Sequence, residues 1–297
     1  MRYGHRWAWA VLLSLGLMAG SASAEKQWLN YRVIHDNDRG EFDSHYVSCP
    51  ALKDAPADAQ KPEFKAKDPC FAAWPMALAP QGKVLLAFDR SMKNGQFDQV
   101  YVDATGKGAW KDVKPVRAVN THEWGAEFGP VKVTLPAEDG PITYHVRFYL
   151  QAHEKSRHLY VISACAYQGN VRIGDKSYRL TLLDHDCNGT FDDVSADFSK
   201  SDHLRLGEGE KAKLYSVGKY LMVDGKLYRT KPARDGAFID FEAAPDVALG
   251  SARATNPVTE LCLVGENGLF RLENGAGSVP EGKYKLYSWK IERKASD

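Results

Sequence analysis

The sequence has no surplus of charge of either sign. Lysine and arginine number 39 against 38 aspartates and glutamates over 297 residues. Such a balance gives no basic patch to hold a nucleic-acid backbone or an anionic membrane, so no nucleic-acid partner is expected. Catalytic signatures are missing as well. No G-x-S-x-G string occurs, which removes support for a serine hydrolase built on a nucleophile elbow. His153-Glu154 is followed by histidine at 158 rather than 157, missing the spacing that puts two zinc-binding imidazoles on one helical face. None of the five cysteines forms a C-x-x-C pair, so neither zinc-ribbon nor thioredoxin chemistry is indicated. Helical periodicity is scarce, the best short stretches being Ala51 to Lys65 and Ala243 to Leu249.

What is present starts with a leader. Arg2 and Arg6 precede an apolar stretch from Trp7 to Ala19, and Ala22-Ser23-Ala24 supplies the small residues of a signal-peptidase site. About 13 apolar residues at a 1.5 Å rise cover only about 20 Å of a hydrocarbon layer roughly 30 Å thick, which is too short for an anchor. The expectation is a secretory signal cleaved after Ala24, a periplasmic or extracellular product, and no membrane span. Removing the two leader arginines leaves 37 basic against 38 acidic residues.

Export makes Cys49, Cys70, Cys165, Cys187 and Cys262 candidates for disulfides, and their odd number leaves at least one over. Cys49 and Cys70 flank a stretch with Pro50, Pro56, Pro62 and Pro69 and little periodicity. A crosslink there would replace a missing core, so this pair is expected to bond. Cys165 and Cys187 stand open between a second pair and two buried thiols.

Period-two alternation dominates the rest. Ile142, Tyr144, Val146, Phe148 and Leu150 alternate with polar residues, as do Val131, Val133 and Leu135, so 131 to 150 reads as a hairpin. Asp224-Gly225 joins two apolar segments with the residue pair of a tight turn, and Asn94-Gly95 and Asn267-Gly268 mark further turns. Leu159 to Ala166 is continuously apolar, fitting a strand covered on both faces. Near the C-terminus the apolar set shifts from Tyr284 and Leu286 to Trp289 and Ile291, which predicts a bulge at Tyr287 or Ser288. The fold class is therefore all-β, with two or more antiparallel sheets, β-sandwich-like, behind a proline-rich N-terminal segment. The expected divisions are leader 1–24, proline-rich segment 25–80, β domain 81–200 and C-terminal β domain 201–297.

One motif carries chemistry. After the strand ending at Leu183, Asp184-His185-Asp186-Cys187-Asn188-Gly189-Thr190-Phe191-Asp192-Asp193 places oxygen side chains at loop positions 1, 3, 5 and 9. Glycine stands at position 6, where the backbone must turn, and Thr190 can offer its carbonyl at 7. Such spacing suits a hard cation, and Asp184, Asp186, Asn188, Thr190, Asp192 and Asp193 are the candidate ligands of a structural Ca²⁺. The string resembles the first nine positions of EF-hand and dockerin-type calcium loops, but Ser195 stands where their bidentate carboxylate belongs, and Asp193 or Asp197 would have to close the site. The competing reading is an Asx-rich turn. Val279-Pro280-Glu281-Gly282-Lys283-Tyr284 resembles the edge of carboxypeptidase-regulatory-like, transthyretin-type sandwiches. Together, from Val84 to Arg293, these segments are similar to exported bacterial β-rich proteins without an assigned activity.

Setting Asp103 over Asp184 aligns Gly108 with Gly189, Trp110 with Phe191 and Asp112 with Asp193. Thr105 and Lys107 replace Asp186 and Asn188, and an ammonium at position 5 would repel a divalent ion, so this copy should be empty, with Lys107 a candidate to neutralise Asp103. Asp36 to Asp43 is a shorter echo that reads as a polar turn. The functional expectation is an exported, non-enzymatic binding or envelope module whose partner is a protein or glycan at the cell envelope. A secreted hydrolase of polysaccharide or peptide is the rival. An enzyme would bring His122, His145, His153 and His158 together with carboxylates in a cleft.

Overall fold

In a computed structural model the described residues are 26–38, 45–93, 95–135, 140–153 and 156–291. The leader, Asn94, part of the Asp36 to Asp43 echo and most of the 136–141 connection lie outside them. Among the described residues every regular element except three short 3-10 turns is a strand, and all strand pairings are antiparallel. The stretches Ala51 to Lys65 and Ala243 to Leu249 therefore hold no helix. No helix is long and apolar enough to cross a membrane.

A central sheet joins Ala51–Leu52, Cys70–Pro75, Lys83–Asp89, Gln99–Asp103 and Val116–Arg117. Val84 to Phe88 are all buried although they are consecutive, because both faces of this sheet are covered. One face meets a second, facing sheet of Val47–Cys49, Arg157–Ser163, Ile142–Ala152, Gly125–Leu135 and Asn120–His122. Trp74 packs on Tyr144 and Phe148, with both ring centroids 5.8 Å away, and Phe88 packs on Phe128 at 5.6 Å. The expected hairpin is present, with Leu135 opposite Ile142 and Val133 opposite Tyr144.

The proline-rich stretch lies on the other face of the central sheet. Leu52, Ala55, Ala59 and Phe64 pack against Phe71, Leu85, Tyr101 and the fully buried Trp110. Lys65 and Ala66 donate their backbone N–H groups to the buried carboxylate of Asp89 at 3.0 and 2.7 Å. This overturns the expected Cys49–Cys70 disulfide, since all five cysteines are buried free thiols. The segment has a core after all, borrowed from the sheet it covers. Burial of an apolar side chain contributes about 1.5–3 kcal/mol when complete. Four partly buried ones thus match the roughly 3 kcal/mol of a crosslink closing such a loop.

A third sheet pairs Asn30–Val33 with Cys165–Ile173, then Lys176–Leu183, His203–Leu206 and Lys213–Ser216. The apolar run Leu159 to Ala166 turns out to serve two sheets. Its first part ends the strand Arg157–Ser163 of the facing sheet, and its last part begins the strand of the third sheet at Cys165. At the crossing, Ala164 donates to the His145 carbonyl and accepts from the Ile34 N–H, both at 2.9 Å. Hydrogen bonding of this sheet also continues through the polar stretch 199–210, where Leu183 pairs with His203.

Beyond it, Tyr220–Val223 and Lys226–Pro232 join through Asp224 and Gly225 at φ 50° and 72°, the positive angles a two-residue hairpin requires. The Asn267-Gly268 turn falls one residue earlier than expected, on Glu266 and Asn267, because Gly265 pairs with Gly268. The predicted bulge is present. Cys262 faces Ser288 while Leu263 faces Leu286, leaving Tyr287 as the extra residue.

Burial pushes the Cys49 thiol up to about 12 and the Cys165 thiol up to about 11, so neither yields thiolate at neutral pH. Thiol titration of the intact protein is accordingly expected to find no fast-reacting cysteine. In denaturant without reductant all five should react, and a Cys49–Cys70 peptide in a non-reducing digest would contradict the packing argument.

Candidate metal centre

The strand Lys176–Leu183 delivers Asp184 into the interior, where only 2% of it is exposed. The loop that follows is bent by Cys187 and Gly189 at φ 57° and 90°. Gly189 is required twice over, since a Cβ there would sit 2.3 Å from the Met76 sulfur. Two bonds tie the loop to the central sheet. Trp74 Nε1 donates to the Cys187 carbonyl and Ala77 N to the Asn188 carbonyl, both at 2.7 Å.

The carboxylate of Asp184 accepts from Asn188 N (3.2 Å), Gly189 N (2.7 Å) and the Tyr144 hydroxyl (2.8 Å). Asp186 accepts from Asn188 N and Nδ2 at 3.2 and 3.1 Å. Asn188 Oδ1 in turn receives Thr190 N at 2.8 Å, and Asn188 Nδ2 donates to Asp193 at 2.8 Å. The Thr190 hydroxyl reaches both Asn188 and Asp193.

The residue that joins this loop is Asp202, fully buried just before the strand His203–Leu206. Its two oxygens accept from His185 N at 3.0 Å and Asp193 N at 2.8 Å. Asp184, Asp186 and Asp202 each present an oxygen within 4.8 Å of the others, a group that can hold a metal ion. Sequence reasoning missed Asp202 because no local spacing marks it. It arrives from the adjacent strand through Leu183 pairing with His203. Of the residues expected to close the loop, Asp197 is occupied elsewhere, accepting from Ser199 N at the start of a 3-10 turn. Asp193 is bound to Asn188 and Thr190, and Asp192 is exposed.

Electrostatics make the trio costly when empty. Burial, then the charge of Asp186, pushes Asp184 up to about 8. Burial, then Asp184, raises Asp202 well above the carboxylate range, and burial, then Asp193, raises Asp186. None of the described hydrogen bonds to these three groups comes from lysine or arginine. Their compensation must be protons or a cation.

On the reverse side of the same backbone stand imidazoles, as alternation requires. The ring of His185 lies between those of His203 and His45, at 3.7 and 4.2 Å. Burial holds His185 down to about 3 and His203 down to about 4, so neither supplies positive charge at neutral pH. The histidines that the rival hydrolase would bring together with carboxylates are found, among the described residues, beside aromatic partners instead. His145 bonds the Tyr31 hydroxyl at 2.8 Å, His122 touches the Tyr149 ring, and His153 stacks on Trp124.

The first copy of the loop has the same skeleton. Gly108 N donates to Asp103 at 2.6 Å, as Gly189 N does to Asp184, and Trp110 and Phe191 are both buried core. Lys107, however, is exposed. Asp103 is satisfied instead by Thr105, Gly108 and Ala109, whose hydrogen bonds outweigh the cost of burial and hold it below the ordinary range. Comparison of the chain with protein-family models, with curated proteins and with solved structures finds no match.

The raised carboxylates set a pH dependence. A folded pKa above the unfolded value means that the folded state holds extra protons, so stability is full below about pH 4 and falls as pH rises toward about 8. A bound dication replaces those protons. Thermal melts in chelator should therefore decline across this window, and the gain from added divalent cation should be negligible at its acid end and largest at its alkaline end. A cation effect independent of pH would contradict the assignment of the trio.

Proposed function

We propose that this protein is an exported, non-enzymatic binding or envelope module in which Asp184, Asp186 and Asp202 hold one structural Ca²⁺. The observation that carries the reading is the close approach of two buried carboxylates and a half-buried one where the loop meets three sheets, with no lysine or arginine bonded to them among the described residues. Asn188 and Asp193, one hydrogen bond away, and Thr190, bonded to both, supply further oxygens. An all-oxygen set of this kind favours calcium over softer metals. The trio lines neither the aromatic groove of the facing sheet nor the histidine-lined hollow behind it. Both points support an ion that fastens strand ends rather than one that activates a substrate. Export rests on the leader of Arg2 to Ala24 and its small-residue cleavage site.

Without a bidentate carboxylate at loop position 12, affinity should fall near the 10⁻⁴ to 10⁻³ M of extracellular modules. About 1 mM calcium then stabilises the fold by roughly 0.4 to 1.4 kcal/mol, moving the melt by a few degrees. Asp186→Ala and Asp202→Ala should each abolish that shift, and magnesium should substitute poorly because it demands a tighter octahedron. Calcium titration with no shift in the intact protein would return the loop to an Asx-rich turn.

A further inference from the structure

The outer face of the facing sheet is not explained by the metal centre. Register across its strands sets Ser48, Tyr160, Tyr149, Glu127 and Asn120 in one row. Alternation turns their neighbours Val161, Phe148 and Phe128 inward to the core, so this row points away from the central sheet. The Tyr149 and Tyr160 rings lie 6.3 Å apart at 27°, Tyr46 stands edge-on to Tyr160 at 6.2 Å, and His122 continues the series 5.9 Å from Tyr149. A groove of about 410 Å³ runs along them, a size that suits a small ligand. Gly129, at φ 113°, also lines it and adds no side chain to fill it.

We propose that this groove binds an uncharged, extended oligosaccharide. The inference rests on reading the chain as an envelope binding module and names the class of its partner. Sugar rings offer flat C–H faces that pack on aromatic rings, together with hydroxyls that need donors and acceptors in the same plane. Tyrosine supplies both, a ring face and a polar tip. Glu127 and Gln151 line the same groove. Among the described residues the aliphatic lining is limited to Val119 and Ile162, and the Phe128 and Phe148 rings beneath are buried in the core, so a ligand meets mainly tyrosine and polar groups. Charge also selects. Among the described residues Arg147 is the one basic side chain lining the groove, and its guanidinium is held by the Ile34 carbonyl at 2.7 Å and by Asp36 at 3.2 Å. With Glu127 also lining it, the groove's described residues offer a polyanion no net charge to attract it.

Calorimetric titration of the full exported chain with cellohexaose, chitohexaose and xylohexaose tests this, with reducing ends assayed in the same samples. At least one of the three should bind. Tyr149→Ala should weaken it about tenfold, whereas Tyr149→Phe, which keeps the ring, should cost much less. Tyr46→Ala, at a side chain 53% exposed, gives a second variant that leaves the core untouched and should also weaken binding. Heat from none of the three sugars, or equal affinity in Tyr149→Ala and Tyr46→Ala, overturns the proposal and leaves the face to a protein partner. Binding accompanied by new reducing ends supports the groove and overturns the non-enzymatic reading instead. A calcium-dependent melt that persists while all sugars fail separates the loss of this proposal from the loss of the metal site.

Discussion

The carboxylate of Asp184 is the point on which three sheets depend. It ends a strand of the third sheet, takes the hydroxyl of Tyr144 from the facing sheet, and orders a loop whose Cys187 carbonyl receives the indole of Trp74 from the central sheet. Trp74 and Tyr144 also pack on each other. A buried anion in this position is costly unless its charge is compensated, and Asp186 and Asp202 beside it raise the cost further. Whatever neutralises the group, proton or dication, therefore acts where these three sheets meet rather than on a peripheral loop.

Asp103 shows the same skeleton without that consequence. Both aspartates end a strand, both receive the N–H of a left-handed glycine, and both precede an aromatic residue that enters the core. The difference lies in their neighbours. Asp103 has the hydroxyl and N–H of Thr105 where Asp184 has Asp186, and among the described residues it belongs to no cluster of three potential metal ligands. One loop geometry thus serves as a neutral-donor cradle in one place and as an acidic cluster in the other.

The two faces of the facing sheet carry contrasting chemistry for a similar reason. Alternation sends Phe128, Phe148 and Val161 into the seam with the central sheet and leaves Glu127, Tyr149 and Tyr160 on the outside. The acidic trio gathers strand ends on the inner side, while the outer side presents half-buried rings held at fixed spacing by the strands. A ladder so held loses little conformational entropy on meeting a flat ligand.

Several features were legible in the sequence because they are local. The hairpin of Val131 to Leu150 follows from side-chain period, the Asp224-Gly225 turn from the need for positive φ, and the Tyr287 bulge from a one-residue slip in alternation. Asp184, Asp186 and Gly189 were equally visible, because a loop that crowds carboxylates around a glycine sets its own geometry. What only the tertiary structure decided are the contacts between segments far apart in the chain. Asp202 joins the trio through strand pairing, His45, His185 and His203 stack from three segments, and Phe64 covers a sheet formed later in the chain. The misjudged disulfide belongs to the same category. Proline-rich sequence has no period of its own, so its core was invisible until the face it covers was in place.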